Sequence, residues 1–140
     1  AIYEGSVGRN AVLVVGLTPD PSGLLPQADV ERLTEWGKEI QRRWGRPLAS
    51  VKGNKKQLII QCPAPQEVHA YRITEDLSWG ERIRRYKLEA KVDGHWVKVA
   101  DGESVGYQRL ETIPTIRVKE LRLTVTEAIA SPVILDFSIF

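Results

Sequence analysis

The chain contains no methionine and only one cysteine among its 140 residues. Because a chain without Met cannot begin at a native start codon, we expect it to be a piece of a longer protein. The single Cys62 excludes an internal disulfide, and we expect its thiol to behave as a small buried hydrophobe. The first residues lack the basic and apolar regions of a signal peptide, so the sequence leaves the compartment open.

Long apolar runs and strong charge are also absent. No segment approaches the roughly 18–20 consecutive apolar residues of a membrane-spanning helix, so we predict no membrane partner. The formal net charge of +2 at pH 7 is too small to indicate a nucleic-acid partner. His69 and His95 lie far apart, with no Cys or His at ligand spacing, so we predict neither a metal site nor a cofactor. Whether the chain binds calcium stays open.

The stretch NAVLVVGLTPDPSGLLPQADV, residues 10–30, predicts a strand, a loop and the start of a helix. Ala11–Val15 is a continuous apolar run, which is typical of a strand covered on both faces. The helix is predicted to begin near Pro26 and to end at Gly45 and Pro47. Its apolar stripe consists of Val30, Leu33, Trp36, Ile40 and Trp44.

This strand–loop–helix unit needs strand neighbours that residues 48–140 do not supply. We therefore predict that residues 1–47 are the last unit of a larger (β/α)8 barrel, and that Ala11–Val15 does not join the strands that follow. In such barrels the loop after each strand lies on the catalytic face. Ser6 to Asn10 are then expected on the opposite face. The barrel-rim candidates are Gly16, Leu17, Thr18 and Asp20.

Residues 48–140 predict a second domain that is mostly β. Ile83–Val92 alternates between apolar and charged residues, and Asp93-Gly94 is a two-residue hairpin turn. About eight short strands, with turns every 8–12 residues or so, are typical of an antiparallel β-sandwich or jelly roll. We expect Trp96 to be one of its core residues.

The search for chemistry gives no catalytic residue but two candidate binding loops. No Gly-x-Ser-x-Gly motif is present, and most carboxylates alternate with Lys or Arg, as on a solvated surface. EDLSWGERIRRY (75–86) and GESVGYQR (102–109) combine aromatic rings, which stack on sugars, with arginines that pair with hydroxyls. The candidate glycan-contact residues are Trp79, Arg82, Tyr107 and Arg109. The alternative is that Glu and Arg side chains in these loops pair with each other at the sandwich edge.

Two segments carry a family resemblance. SVGRNAVLVVGLTPDPSGLLPQADVERLTEWGKEI resembles the end of the catalytic barrel in glycoside hydrolase family 29 α-L-fucosidases, S-x-x-R-N-x-N-L-L-L-N-x-x-P-x-x-x-G-x-[IL]-x-x-x-D. The matching residues are Ser6, Arg9, Asn10, Leu13, Pro19, Gly23, Leu24 or Leu25, and Asp29. ITEDLSWGERIRRYKLEAKVDGHWVKVADGESVGYQRLE resembles the C-terminal β-sandwich of these enzymes, which is similar to discoidin-type, galactose-binding-like modules. The chain departs from the motif at Val12 and Gly16, where the family often has Asn.

The resemblance implies a parent enzyme that removes terminal α-L-fucose with retention, using an Asp nucleophile and a Glu acid/base. Those residues lie on earlier barrel strands, so the resemblance assigns no catalytic residue to this chain and implies that it is inactive alone. It implies two partners, the missing N-terminal catalytic barrel and a fucosylated glycan, and a periplasmic, secreted or lysosomal location. The chain would brace the barrel and contact glycan. The alternatives are an independent carbohydrate-binding sandwich without hydrolase activity and a sandwich with no ligand.

Overall fold

The computed structural model describes all residues, 1–140. Two helices precede six strands, and every strand pair is antiparallel in the order β1-β6-β2-β5-β3-β4. The elements are α1 (Ile2–Ser6), α2 (Gln27–Trp44), β1 (Ala49–Gly53), β2 (Gln57–Glu75), β3 (Ile83–Val92), β4 (His95–Glu103), β5 (Arg109–Ala128) and β6 (Ile134–Ile139). Neither helix has the length and apolar character needed to cross a membrane. The mostly-β, antiparallel fold class is confirmed.

The two long strands, β2 and β5, build both layers of the sandwich. The first half of β2 pairs with the second half of β5, and the second half of β2 pairs with the first half of β5. On one side β3 and β4 extend the second half of β5, and on the other β6 and β1 extend the second half of β2. The register of β2 shifts between Gln61 and Gln66, where Pro63 and Pro65 cannot donate to the ladder. The prolines therefore mark an irregularity within β2, and six strands replace the predicted eight.

One core of 19 buried side chains joins the two layers. Its largest members include Tyr71 on β2, Tyr86 on β3 and Phe137 on β6. The hydroxyls of Tyr71 and Tyr86 lie 3.1 Å apart and hydrogen-bond to each other, so neither is left unpaired by burial. Burial raises the pKa of both phenols, which therefore stay neutral. Cys62 is buried in this core, as predicted.

The predicted helix is confirmed, but its apolar stripe is only partly covered. Helix α2 is capped by Pro26 and ends at Trp44, with Gly45 after it. Arg42 and Arg43 in the last turn oppose the negative end of the helix dipole. Of the five stripe residues, only Trp44 is buried. Leu33, Trp36 and Ile40 are half-buried and Val30 is exposed, so this chain covers the stripe only in part.

Ala11–Val15 does not form the predicted strand. It belongs to no helix or strand, and Val12 and Val14 are 88% and 84% exposed. A strand exists only through hydrogen bonds to a neighbour, and this chain offers the segment none. As predicted, it does not join the sheet of the sandwich.

Trp96 was predicted to be a core residue, and that prediction is wrong. Its ring is half-buried on the outer face of the sandwich, with the Arg122 guanidinium 4.3 Å from the ring centroid and the Lys91 ammonium 5.7 Å away. Cation–π contact with these neighbours covers the ring without placing it in the core. The sequence pattern around a large aromatic residue does not by itself show whether its ring lies in the core or stacks on charged side chains at the surface.

Candidate functional site

Residues of the SVGRN motif, Ser6–Asn10, attach residues 1–47, which we call the front unit, to the sandwich of residues 48–140. Arg9 forms a bidentate ion pair with Glu111, with 3.0 Å between Nη2 and Oε2. Arg109 binds the same carboxylate through Nε and Nη2, at 2.9 and 2.7 Å. The backbone adds a bond of 3.1 Å from the Leu110 amide to the Gly8 carbonyl. This short stretch therefore lies along the start of β5.

Asn10 holds the loop that precedes β5. Its backbone is in the left-handed region, with φ of 65°, a conformation that Asn adopts more readily than most residues. The side-chain amide donates to the Val105 carbonyl at 3.1 Å and accepts from the Gln108 amide at 2.8 Å. A Cβ on Gly106 would collide with this amide, so glycine is required there. We call the contacts of Arg9 and Asn10 with residues 105–111 the clasp.

A small apolar cluster completes the attachment. Trp44, at the end of α2, packs edge-on against Phe140, with 5.2 Å between ring centroids. Ala70 and Leu110 are buried beside them, and Tyr3 packs against the cluster. Burying a large apolar side chain stabilises by about 1.5–3 kcal/mol. Trp44 therefore contributes more to this attachment than the half-exposed ion pair of the clasp.

The four barrel-rim candidates lie on an open segment. Residues 12–19 form no hydrogen bond to the rest of the chain, and Gly16 has no heavy atom near the position of an added Cβ. Asp20 closes a turn, because its carboxylate accepts from Ser22 Oγ at 2.5 Å, from the Ser22 amide at 2.8 Å and from the Leu24 amide at 3.3 Å. These bonds lower the pKa of Asp20, with the Ser22 hydroxyl as the largest cause. Leu17 and Thr18 are exposed.

The front unit exposes a continuous set of apolar side chains. Ile2, Val15 and Trp36 line an open groove, bordered by the charged residues Arg32, Glu35 and Glu39. We call this the apolar groove. The other exposed apolar residues of the unit are Val12, Val14, Leu17, Leu24, Leu25 and Val30. Such a surface is typical of an interaction site.

Trp79 and Tyr107 are the two exposed aromatic residues of the chain, at 79% and 68%. We call them the aromatic platform. The two candidate arginines have other partners: Arg82 donates to the Ser131 carbonyl at 2.8 Å, and Arg109 binds Glu111. Arg82 stays next to the Trp79 loop with donors to spare, whereas Arg109 belongs to the clasp.

Glu75 joins the two loops of the platform, and sequence reasoning did not single it out. It is only 1% exposed. Its Oε1 accepts from the amides of Arg82 and Ile83, at 2.6 and 3.0 Å, and its own amide donates to the Gly106 carbonyl at 3.1 Å. Its Oε2 is buried without a partner. The available signal was the period of two from Tyr71, which places Glu75 on the inward face of β2.

Four carboxylates of this chain, Asp20, Glu39, Asp76 and Glu89, are held by neighbouring groups. Those whose pKa departs from the ordinary value are all shifted downward, by bonds to hydroxyl, amide, Arg or Lys groups. A general acid needs the opposite shift. No group of three His, Cys, Asp or Glu side chains is arranged to hold a metal.

Comparison with known proteins gives a consistent result. No family model matches the chain. A crystal structure of a Bacteroides thetaiotaomicron protein, provisionally named an α-L-fucosidase, is 50% identical and superposes with a TM-score of 0.95, covering 98% of this chain and 32% of that one. A glycoside hydrolase 29 family member from a rumen bacterium is 26% identical with a TM-score of 0.87, covering 99% and 27%. Alpha-L-fucosidase 1 of Arabidopsis thaliana is 25% identical, covering 95% and 34%.

These comparisons confirm the resemblance that the two sequence segments indicated. The chain is similar in sequence and fold to α-L-fucosidases over nearly its whole length. It spans about a third of the length of these relatives (32% and 34%).

Proposed function

From the similarity to family 29 α-L-fucosidases, we propose that this chain forms the end of such an enzyme. Residues 1–47 complete the catalytic barrel and residues 48–140 brace it. The whole protein hydrolyses terminal α-L-fucosides of glycans with retention. The nucleophile and the acid/base come from the remaining part of the enzyme, because the resemblance puts them on earlier barrel strands.

The observation that carries this proposal is the state of residues 12–19. Their backbone N–H and C=O groups make no hydrogen bond within the chain, and Val12 and Val14 are almost fully exposed. Both edges of the segment are free to pair, and side chains on both faces are free to be covered. An inner strand of a parallel barrel has these properties before its neighbours are added.

The clasp and the Trp44 cluster support the bracing role. They attach the front unit to the sandwich on one side and leave the apolar groove and Ala11–Val15 open on the other. A sandwich attached in this way fixes the position of the last barrel unit. The apolar groove then packs against neighbouring barrel helices.

A chimera tests the proposal. The matching third of the Bacteroides relative is replaced by this chain, and hydrolysis of a chromogenic α-L-fucoside is compared with that of the unaltered relative. We expect the chimera to hydrolyse the fucoside and this chain alone to be inactive. Hydrolysis by the isolated 140-residue chain, or a folded chimera that has lost the activity of the relative, would contradict the proposal.

A further inference from the structure

We infer that the aromatic platform, Trp79 and Tyr107, is a saccharide-binding surface that lies away from the reaction rim, and that the buried carboxylate of Glu75 positions the Trp79 loop. This inference rests on the proposed function for the location of the rim, and on the loops themselves for the rest.

The two rings are exposed but their loops are ordered. In the Trp79 loop, Asp76 Oδ1 accepts from the Ser78 amide at 2.9 Å and from its hydroxyl at 2.6 Å. Gly80 adopts φ of +80° and donates to the Leu77 carbonyl at 2.9 Å. These bonds form a closed turn around the tryptophan. A ring presented on such a turn loses little conformational freedom when a ligand binds.

Glu75 forms hydrogen bonds with both of the loops that carry the two rings. Its Oε1 receives two amides at the end of the Trp79 loop, and its own amide holds Gly106, the residue before Tyr107. Asn10 fixes the other side of the Tyr107 loop. Glu75 touches no ligand in this arrangement and is therefore a positioning residue.

The chemistry of the surface fits a saccharide. Of the ten Trp, Tyr and Phe residues in the sequence, the other eight are buried or half-buried. Aromatic faces pack against the C–H faces of sugar rings, and unused N–H groups of Arg82 can donate to hydroxyls at the edge. The relatives that this chain matches are named for hydrolysis of fucosides, so oligosaccharides are the molecules that such a protein meets.

The platform and the rim lie at opposite ends of the segment Ala11–Val15. Asn10 holds the Tyr107 loop and lies just before Ala11–Val15, whereas Gly16 to Asp20 follow it. As a barrel strand, the six steps from Asn10 to Gly16 span about 20 Å. The platform therefore lies near the start of the last strand and the rim at its end. A saccharide on the platform holds an extended glycan without entering the catalytic cleft.

Titration of the 140-residue chain with fucosyllactose, and separately with lactose, followed by calorimetry, tests the platform. We expect saturable binding of at least one sugar, weakened about tenfold or more by Trp79→Ala and by Tyr107→Ala. Trp96→Ala is the matched control, because Trp96 stacks on Arg122 at the outer sheet face, and it leaves binding unchanged. Flat titrations with both sugars, or equal binding by the Trp79→Ala chain, would overturn the inference.

Glu75 is tested by rescue. Glu75→Gln keeps an oxygen for the two amides and retains sugar binding, whereas Glu75→Ala weakens it in a chain that still folds by circular dichroism. If Glu75→Ala unfolds the chain, the Gln variant decides alone, and a tenfold loss of binding in that variant would contradict the positioning role.

The remote location is tested in the chimera. Trp79→Ala is expected to raise KM about tenfold for a fucosylated glycan long enough to reach both the platform and the rim, and to raise it much less for a small chromogenic fucoside. An equal rise in KM for both substrates would show that Trp79 packs on the barrel or enters the cleft, and would overturn the inference. Sugar binding by the chain does not depend on the barrel. If neither sugar binds the chain but the chimera is active, the inference about the platform fails and the proposed function stands. If a sugar binds the chain but the folded chimera is inactive, the proposed function fails and the inference about the platform stands.

Discussion

At the scale of single residues, the motif positions Arg9 and Asn10 have a role that their sequence context did not reveal. The resemblance placed them at the end of a barrel, and their side chains reach Glu111 and residues 105–108 of the sandwich. No spacing rule connects positions about a hundred residues apart. Glu75 was missed for a different reason, because a carboxylate in a strand is ordinarily assigned to the solvent-exposed face.

Asn10→Gly is predicted to destabilise the chain by about 1–2 kcal/mol, because it removes two hydrogen bonds, one exposed to the Gln108 amide and one part-buried to the Val105 carbonyl. Glycine tolerates the positive φ of this position, so the change adds no backbone strain to the folded chain. Denaturant unfolding measures the effect. Glu31→Gln on the exposed side of α2 is the control, and equal stability of the Gly variant and the parent would contradict the clasp.

Glu89 is predicted to make stability depend on pH. Its bond to Lys87 and its pairing with Arg122 lower its pKa from the ordinary value of 4.5. Ionised Glu89 therefore stabilises the fold above pH 4.5, and this stabilisation is lost as the pH falls through the lowered pKa. The stability difference between the parent and Glu89→Gln is expected to be largest near neutral pH and to shrink in acid. Gln57→Ala, at an exposed site without a titrating group, is the control and should show a constant difference.

At the scale of elements, the sequence predicted those whose signals are local. Helix α2 has its Pro cap, its charged ends and its terminating Gly within the segment itself, and both ends were located correctly. Strand β2 is longer than the short strands predicted, because local rules cannot tell a bulge at Pro63 and Pro65 inside a long strand from a strand end. Ala11–Val15 has the composition of a strand and lacks the partner that a strand requires.

Trp44→Ala is predicted to weaken the attachment of α2 to the sandwich. Truncating a buried Trp costs about 3–5 kcal/mol, so the amides of α2 should exchange faster while those of β2 and β5 stay protected. Hydrogen exchange resolved by segment measures this. Trp36→Ala is the matched control on the same helix, because Trp36 lines the open groove, and its exchange should match the parent. Uniform deprotection of helix and strands in Trp44→Ala would show that the two parts unfold as one unit.

At the scale of the whole molecule, the chain is a sandwich attached to a front unit whose residues 12–19 form no hydrogen bond within the chain. The core of 19 side chains makes the sandwich self-sufficient, whereas the front unit exposes apolar side chains on the side facing away from the clasp. The continuous apolar run Ala11–Val15 favours a division of the chain before residue 48, because a strand of this composition implies a neighbour on each side. The sequence could not predict how the two parts attach. That attachment depends on packing between Trp44 and Phe140, which lie far apart in the sequence.

The central claim is that Ala11–Val15 is a barrel strand whose neighbours lie outside this chain. Hydrogen exchange at the amides of residues 12–15 tests it most directly, measured in the monomeric 140-residue chain and in the chimera with the Bacteroides relative. The account predicts fast exchange in the chain alone and at least about a hundredfold protection in the chimera. Strong protection in the isolated monomer, or fast exchange in an active chimera, would contradict it.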